Sequence, residues 1–226
     1  MKKNLVIKLL IIPILLIGMT YSQTTDKFID ELNEIVEKVQ ETFKVPGISI
    51  TIVKDDKVLL SEGYGTTQVK NGSDVDSKTV FGIASNTKAF TAAGLAILID
   101  EGKLKWTDKV KDILPEFEMY DPFVTNEFMV KDLLTHQSGL SGGYGDLMLW
   151  PSSDFKRSEI VKKIKFFKPK HSFRTKFGYS NILYIVAGEV IQKITGQSWE
   201  DFTRERIVKK LEMDNTYMGV SELTTV

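Results

Sequence analysis

Cysteine is absent from this sequence. Its absence excludes disulfide bonds, zinc sites with thiolate ligands, a cysteine nucleophile and a lipid-modified N-terminal cysteine. Histidine is scarce, since only His136 and His171 are present, and a histidine-rich metal site is therefore not expected. An excess of charge is also lacking. Thirty basic residues balance thirty acidic ones, so we expect no nucleic-acid partner and no acidic tail.

The composition that remains is typical of an ordinary globular protein. The 226 residues are enough for one domain or for a domain with a small lobe, and 42% of them are hydrophobic. The chain contains no internal repeat and no low-complexity linker. We therefore expect a single folded domain over residues 23–226.

The first 22 residues have the pattern of a secretory signal peptide. Lys2 and Lys3 precede the apolar run Leu9–Met19, and small or polar residues follow up to Ser22. The alternative is a membrane anchor, but an apolar run of eleven residues that contains Pro13 is short for a membrane span. The pattern predicts cleavage near Ser22, a periplasmic or secreted mature protein, and no stable membrane span after cleavage.

The apolar periodicity predicts a helix, then a β-hairpin, then mostly helices. Apolar residues at three- and four-residue steps predict a helix over Asp26–Phe43. Alternation over Ile48–Val53, a turn at Asp55 and Asp56, and a return from Val58 predict the hairpin. This order is typical of an α+β protein in which an antiparallel sheet is flanked by helices, with a helical lobe. Further helical segments are predicted after Lys88 and over Asp108–Ile113, Val130–Thr135, Ser158–Phe167, Ile182–Ile194 and Trp199–Leu211.

A serine and a lysine three residues apart stand at the head of a predicted apolar helix. Positions i and i+3 share one helix face, so the Lys88 amine can reach the Ser85 hydroxyl. A serine needs a neighbouring base to become a nucleophile, and a lysine provides one when it is neutral. The same spacing recurs at Ser153 and Lys156 in a polar stretch, which we interpret as a chance match.

A second candidate group is Tyr179 and Asn181, which precede the predicted helix Ile182–Ile194. A tyrosine near an ammonium can exchange protons, and an asparagine amide can bind a substrate amide. The spacing alone favours a plainer interpretation, in which the tyrosine is buried with a satisfied hydroxyl and the asparagine caps the helix.

Two other features carry weaker signals. His136 could be the base of a Ser-His-Asp triad, but Ser85 lacks the Gly-x-Ser-x-Gly elbow of such enzymes, so a structural role is favoured. His171 is expected to be a solvated loop residue. The glycine-rich segment Ser138–Asp146 lacks the lysine and the following helix of a phosphate-binding loop. We expect something close to a flexible surface turn there.

Taken together, three segments in this order resemble the serine β-lactamase and penicillin-binding superfamily. They are Ser85–Lys88, Leu133–Leu140 and Phe177–Asn181, and the likeness extends to Leu211–Thr216, where Glu212 replaces a family glycine. The likeness is strongest to the branch of class C β-lactamases, D-alanyl-D-alanine carboxypeptidases and esterases, in which Tyr-x-Asn replaces Ser-Asp-Asn. The resemblance covers nearly all of the mature chain and implies a β-lactamase/transpeptidase-like fold.

The resemblance implies a role for each matching residue. Ser85 would be the acylated nucleophile and its backbone N–H one oxyanion donor. Lys88 would be the base or a proton relay. Tyr179 would pass the proton to the leaving group and help to activate water, and Asn181 would hold the substrate amide. The substrate would carry an amide or ester carbonyl, as in a β-lactam, a D-amino-acid peptide or a small ester, and neither a metal nor an organic cofactor is implied.

The sequence departs from the family pattern downstream of Tyr179. The family's third motif, Lys-Thr-Gly or His-x-Gly on a later strand, has no match before Val226. We therefore expect a sheet incomplete at the C-terminus, an uncovered hairpin, and weak or no activity from this chain alone. Two alternatives to a hydrolase stay open, namely an acylatable penicillin-sensor or binding domain and a non-catalytic fragment. The sequence leaves the oligomeric state undetermined.

Overall fold

The structure is a computed structural model that describes residues 27–150 and 153–225. The described chain is mostly helical with a small antiparallel sheet, and it divides into two compact units between Phe81 and Gly82. The signal peptide predicted over residues 1–22 lies outside the described residues and stays a prediction.

The first unit contains one long helix and the hairpin. Helix α1 covers residues 27–43, and strands β1 (Gly47–Lys54) and β2 (Lys57–Gly65) pair antiparallel with a bulge between Ile52 and Val53. Asp55 and Asp56 form the turn, both with φ in the left-handed region that aspartate tolerates. The predicted helix and hairpin are both confirmed.

Polar contacts join α1 to β2 and to the segment before β1. The Tyr64 hydroxyl on β2 donates to Asn33 Oδ1 on α1 at 2.8 Å, and Gln40 Nε2 donates to Pro46 O at 3.4 Å. Val36, Leu60 and Val75 are buried. Within the described residues the sheet has two strands, which agrees with the incomplete sheet expected from the sequence.

The second unit is helical. Short 3-10 turns occur between some of its helices, and helix α7 (Trp199–Thr203) continues into one turn of π-helix over Arg204–Val208. The helix predicted over Trp199–Leu211 is therefore α-helical only in its first part. The α-helices are α2 (Thr87–Asp100), α3 (Val110–Ile113), α4 (Pro122–Glu127), α5 (Arg157–Lys163), α6 (Ile182–Thr195) and α7 (Trp199–Thr203).

Helices α2 and α6 form the centre of this unit. Helix α6 buries a broad apolar surface against α2, α5 and α7, with Leu183, Val186 and Val190 fully enclosed. Gly94 lets α2 and α6 approach closely, since an added Cβ there would lie 3.0 Å from Ile191 Cδ1. The N-terminal end of α2, which carries Lys88, lies beside the residues that precede α6, since Lys88 Nζ donates to Asn181 Oδ1.

Residues 27–150 and 153–225 contain neither a membrane-spanning helix nor a metal-binding cluster. No helix in that part of the chain is both long and apolar enough to cross a membrane. No group of histidine, aspartate and glutamate side chains in those residues is arranged to hold a metal ion.

Candidate active site

Ser85 lies in the tight turn that leads into α2. The 3-10 turn Ala84–Asn86 precedes the helix directly, so the serine stands just before the first helical residue rather than within the helix. Ala84 has φ of +45°, a strained conformation for a residue with a side chain. The turn leaves the Ser85 side chain exposed, where an incoming carbonyl group can reach it.

Lys88 lies one helical turn after the serine and makes two hydrogen bonds. Its Nζ donates to Ser85 Oγ at 3.2 Å and to Asn181 Oδ1 at 2.7 Å. The amine also lies 4.6 Å from the centroid of the Tyr179 ring. A single cation on α2 therefore contacts all three of the other residues that the sequence selected.

Tyr179 completes the contact with the serine. Its hydroxyl donates to Ser85 Oγ at 2.5 Å. The pKa of this hydroxyl lies below its ordinary value, chiefly because of hydrogen bonding with Lys88 and then because of the hydrogen bond with Ser85. Burial and the Asp146 carboxylate act in the opposite direction. Tyr179 therefore loses its proton more readily than an isolated tyrosine does, and the resulting phenolate can accept a proton.

Asn181 precedes α6, but its side chain does not cap the helix. The residue occupies the N-cap position without any side-chain capping bond, and its amide instead bonds to Lys88 and to Asp146. The capping interpretation favoured by the spacing is therefore wrong. The Asn181 side chain points to the polar cluster because the Lys88 ammonium donates a short, charge-assisted hydrogen bond to the amide oxygen of Asn181.

Asp146 is a member of the cluster that the sequence did not single out. Asn181 Nδ2 donates to its two carboxylate oxygens at 3.1 and 3.2 Å. A carboxylate only accepts and an ammonium only donates, so Asp146 and Lys88 together fix which end of the Asn181 amide faces each of them. One aspartate after a run of glycines has no spacing signature that would reveal this contact.

The loop that carries Asp146 is packed against the rest of the cluster. Gly145 has φ of +82°, and an added Cβ there would lie 2.8 Å from Ile182 Cγ2. Gly143 N donates to Tyr179 O at 3.2 Å, and Leu140 is buried. The expectation of a flexible surface turn over Ser138–Asp146 is therefore wrong, because its glycines serve close approach to the neighbouring chain.

His136 supports the turn that carries the tyrosine and asparagine. Its Nδ1 accepts a hydrogen bond from Ser180 N at 3.1 Å, and its ring centroid lies 4.7 Å from that of Tyr179. Burial, followed by the charge of Lys88, lowers the pKa of His136, which favours the neutral ring that accepts this bond. The geometry agrees with the structural role that the sequence favoured.

The second Ser-x-x-Lys match has a different local structure. Ser153 Oγ accepts from Phe155 N at 3.1 Å, and Lys156 N donates to Glu159 Oε2 at 2.8 Å. These contacts are those of the chain entering α5. His171, which was expected to be solvated, is half-buried. Its backbone N–H donates to the backbone carbonyl oxygen of Gly139.

Fold and site geometry together define a protein of the serine β-lactamase type, and comparison with known proteins agrees. The β-lactamase family profile matches residues 32–224. The chain is 31% identical over 206 residues to the unguisins hydrolase ungD' of Aspergillus campestris. The aligned region covers 87% of this chain and 38% of that protein. The chain belongs to the β-lactamase family and is a homologue of its serine hydrolases, so the resemblance inferred from the motifs is confirmed.

Solved structures confirm the fold. The octameric penicillin-binding protein homologue from Pyrococcus abyssi superposes with a TM-score of 0.74 at 27% identity, over 88% of this chain and 46% of that one. A class C β-lactamase in complex with cefoxitin gives a TM-score of 0.73 at 23% identity, over 87% and 52% of the two chains. The chain therefore spans about half the length of these two solved structures. It spans 38% of the length of the unguisins hydrolase.

Proposed function

We propose that this chain carries the acylation site of an exported serine hydrolase, which forms an acyl-enzyme on Ser85 and hydrolyses an amide or an ester. The observation that carries the proposal is the polar cluster in which Ser85 Oγ receives hydrogen bonds from both Lys88 Nζ and Tyr179 OH. Family membership supports the same reaction class, because amide and ester carbonyls are the groups on which this family acts.

In the proposed first step the phenolate form of Tyr179 removes the proton of Ser85. The serine oxygen then attacks the substrate carbonyl carbon, and a C–O bond forms while the carbonyl electron pair moves to oxygen. The Ser85 backbone N–H donates to this oxyanion. When the tetrahedral intermediate collapses, the bond to the leaving group breaks, and the proton on Tyr179 passes to the leaving nitrogen or oxygen.

The second step repeats the first with water as the nucleophile. Tyr179 takes a proton from water, hydroxide attacks the acyl carbon, and the proton returns to Ser85 Oγ as the ester bond breaks. Throughout, the Lys88 ammonium stabilises the tyrosinate. The rival assignment makes neutral Lys88 the base, since its Nζ also lies within hydrogen-bond distance of Ser85 Oγ, at 3.2 Å.

Asp146 would act by positioning, and Asn181 would both hold the lysine in place and bind the substrate amide. With its oxygen on Lys88 and its nitrogen on Asp146, the Asn181 amide holds the cation beside both Ser85 and Tyr179. The amide group keeps its orientation because reversal would face its nitrogen toward an ammonium and its oxygen toward a carboxylate. We assign Asp146 as a positioning residue and Asn181 as the residue that binds the substrate amide.

Steady-state hydrolysis of p-nitrophenyl acetate and nitrocefin by the purified chain tests the proposal. Release of product that Ser85→Ala abolishes and Ser153→Ala leaves unchanged supports a hydrolase. Ser153 is the matched control because it has the same Ser-x-x-Lys spacing. A stable adduct on Ser85 without turnover would instead favour a penicillin sensor, and a folded chain that forms no adduct would favour a non-catalytic fragment.

Export is a separate part of the proposal and rests on residues 1–22. Expression of the whole sequence in a Gram-negative bacterium, followed by fractionation, is expected to give a periplasmic protein whose N-terminus lies near Gln23. Recovery of an uncut protein in the cytoplasm would contradict export without affecting the assignment of Ser85.

A further inference from the structure

One segment of the second unit is strongly basic, although the charge of the whole chain is balanced. Residues 156–176 contain nine lysine and arginine residues and a single acidic residue, Glu159, whereas the whole chain has thirty basic and thirty acidic residues. The segment comprises α5, the 3-10 turn Ile164–Phe166 and the chain that leads toward Tyr179. A basic amphipathic helix is typical of an element that binds a membrane surface or a partner protein.

The buried and exposed sides of this segment are clearly separated. Ile160 and Ile164 are buried in the core of the second unit. Lys162, Lys165 and Phe166 have the i, i+3 and i+4 spacing that places residues on one helix face, and all three are exposed. The Phe166 side chain is 73% exposed. The outer side of the segment thus combines two cations with an aromatic ring that is mostly in solvent.

Two further aromatic rings lie beside this outer side. Tyr120 lines one groove together with Lys165 and Phe166, and it lines a second groove together with Phe123 and Lys170. Tyr120 and Phe123 are 51% and 69% exposed. Because Tyr120 borders both grooves, the three rings and the neighbouring lysines form one surface. We call this surface the basic aromatic face and define it by three rings and three lysines, namely Tyr120, Phe123, Phe166, Lys162, Lys165 and Lys170.

The lysines of the basic aromatic face are only partly neutralised. Glu118 Oε2 accepts from Lys165 Nζ at 2.9 Å, and Asp121 caps the N-terminus of α4. Lys162 and Lys170 form no ion pair with any residue of the ranges 27–150 and 153–225. The face therefore presents unpaired cations beside exposed rings, and a negatively charged surface complements that charge.

The combination of rings and lysines favours a lipid surface over a soluble polyanion. A soluble polyanion requires cations alone, whereas at a membrane the rings can enter the boundary between headgroups and acyl chains. The stems of the lysine side chains cover apolar surface while their ammonium groups reach the headgroups. Each lysine near an anionic membrane adds electrostatic attraction.

We propose that the basic aromatic face binds the surface of a membrane that contains anionic lipid. Phe123 and Phe166 lie at the level of the headgroups in this contact, and the lysines lie against the anionic phosphate groups. The contact is peripheral and requires no spanning helix. It is independent of acylation at Ser85 and goes beyond the proposed function, because it keeps the candidate site of an exported chain at a membrane surface.

The absence of cysteine permits a local test, because a thiol-reactive fluorophore attaches only to a cysteine that is introduced. Phe166→Cys carries the environment-sensitive NBD group on the face, and Lys210→Cys carries it at an exposed position that lines neither groove. Each whole chain is mixed with vesicles of phosphatidylcholine, alone or with an equal part of phosphatidylglycerol. We expect NBD fluorescence to increase and shift to shorter wavelength at position 166 with the anionic vesicles and to stay unchanged at position 210. The readout is placed on the face because vesicle binding through the apolar residues 9–19 alone would not change it.

Reversal of charge tests the lysines of the face in the Phe166→Cys chain. Lys162→Glu, Lys165→Glu and Lys170→Glu together are expected to raise the lipid concentration that gives the half-maximal response by about tenfold or more. The matched control makes the same change at three exposed lysines outside the face, and we expect little effect from it. These lysines are Lys38, Lys70 and Lys210. Should circular dichroism show that the reversed variant is unfolded, glutamine replaces glutamate in both sets.

Each outcome decides for or against the lipid surface. A chain that sediments with the vesicles while the fluorescence at position 166 stays unchanged overturns the proposal, because another part of the chain then makes the contact. Equal responses to neutral and anionic vesicles, or equal losses in the two sets of lysine variants, overturn it as well. A response to heparin without vesicles that equals the response to anionic vesicles would identify a soluble polyanion as the partner. Hydrolysis at Ser85 is measured separately, so failure here leaves the proposed function standing.

Discussion

The two units of this chain differ in how completely they bury their apolar residues. In the second unit, α2 and α6 lie within a continuous core in which Leu95, Leu98 and Val186 are fully buried. In the first unit, Ile35 and Phe43 on α1 are 59% and 70% exposed. All members of the polar cluster belong to the second unit, so the candidate site is built on the better-packed part of the chain.

This difference shows which properties depend on which unit. The cluster needs precise distances, and a rigid helical core provides them. The hairpin places Val53 and Val58 in solvent, a pattern that usually accompanies an interaction surface or a tendency to associate. The three tryptophans, Trp106, Trp150 and Trp199, all lie in the second unit, so their fluorescence reports on that unit alone.

The largest expected effect concerns the tyrosine of the second unit. Tyr179→Phe removes the proposed proton acceptor and keeps the ring that packs on His136. We expect the acylation rate of Ser85 to fall by about 10²–10⁴ with no loss of folded structure. Stopped-flow release of p-nitrophenolate measures the rate. A variant that keeps most of the rate would show that Lys88 is the base.

An ion pair with a buried carboxylate tests the packing of the same unit. Asp132 is only 5% exposed and accepts from Arg174 Nε and Nη2 at 2.9 and 2.6 Å. Arg174→Ala leaves this carboxylate without its cation, and we expect a loss of about 2–3 kcal/mol in the free energy of unfolding. Urea unfolding followed by tryptophan fluorescence measures the loss.

The control for this variant is a solvent-exposed pair. Lys165 donates to Glu118 at 2.9 Å with both side chains about half exposed. Lys165→Ala is expected to change stability by less than about 0.5 kcal/mol. Equal effects of the two variants would contradict the burial of the Asp132 carboxylate.

A smaller effect is expected when Asp146 is changed. Asp146→Ala frees the Asn181 amide, and we expect the acylation rate to fall about tenfold, the effect of one lost hydrogen bond to a charged group. Asp146→Asn keeps an acceptor for Asn181 Nδ2 and should lose less. If both variants keep the full rate, Asp146 has no positioning role.

Asp146→Asn is also expected to change the pH dependence of the acylation rate. The charge of Asp146 raises the pKa of Tyr179, while Lys88 and Ser85 lower it, and neutral His136 and Tyr184 are the other groups close to the ring. Acylation requires the phenolate, so the rate rises with pH through the Tyr179 pKa. Removal of the Asp146 charge lets that pKa fall further, and the rise should move to lower pH in Asp146→Asn. A shift to higher pH would contradict the assignment.

The smallest effects are expected at exposed positions of the first unit. Ile35→Lys and Phe43→Lys change exposed positions on α1 and should alter stability by no more than about 0.5 kcal/mol. Val36→Lys lies between them in the sequence at a position only 3% exposed, and burial of its charge should cost more than about 2 kcal/mol. Thermal unfolding followed by circular dichroism compares the three. Equal losses would show that the outer face of α1 is covered in solution.

Much of the fold was accessible from the sequence because local signals determine it. Helix α6 follows from apolar residues at three- and four-residue steps, and the hairpin follows from alternation around Asp55 and Asp56. The π-helical turn after Thr203 has no such local signal, because it depends on how α7 packs on α2 and α6. The predicted sequence of elements was therefore more accurate than their ends.

The candidate site was accessible only in part. Ser85 and Lys88 are close because one helical turn separates them, a distance that spacing predicts. Tyr179 lies 94 residues away from the serine and Asp146 lies 35 residues before Asn181. Family resemblance supplied the first of these long-range contacts. The second depends on Gly145, which lets the loop that carries Asp146 approach Ile182 on α6.

The most direct test of the central claim is the position of the acyl group. The purified chain is treated with p-nitrophenyl acetate, quenched in acid, digested and examined by mass spectrometry. The account predicts one added acetyl group on the peptide that contains Ser85, and none when Tyr179 is replaced by phenylalanine under the same brief exposure. An acetyl group on the Ser153 peptide instead, or no acetylated serine in a folded chain, would contradict it.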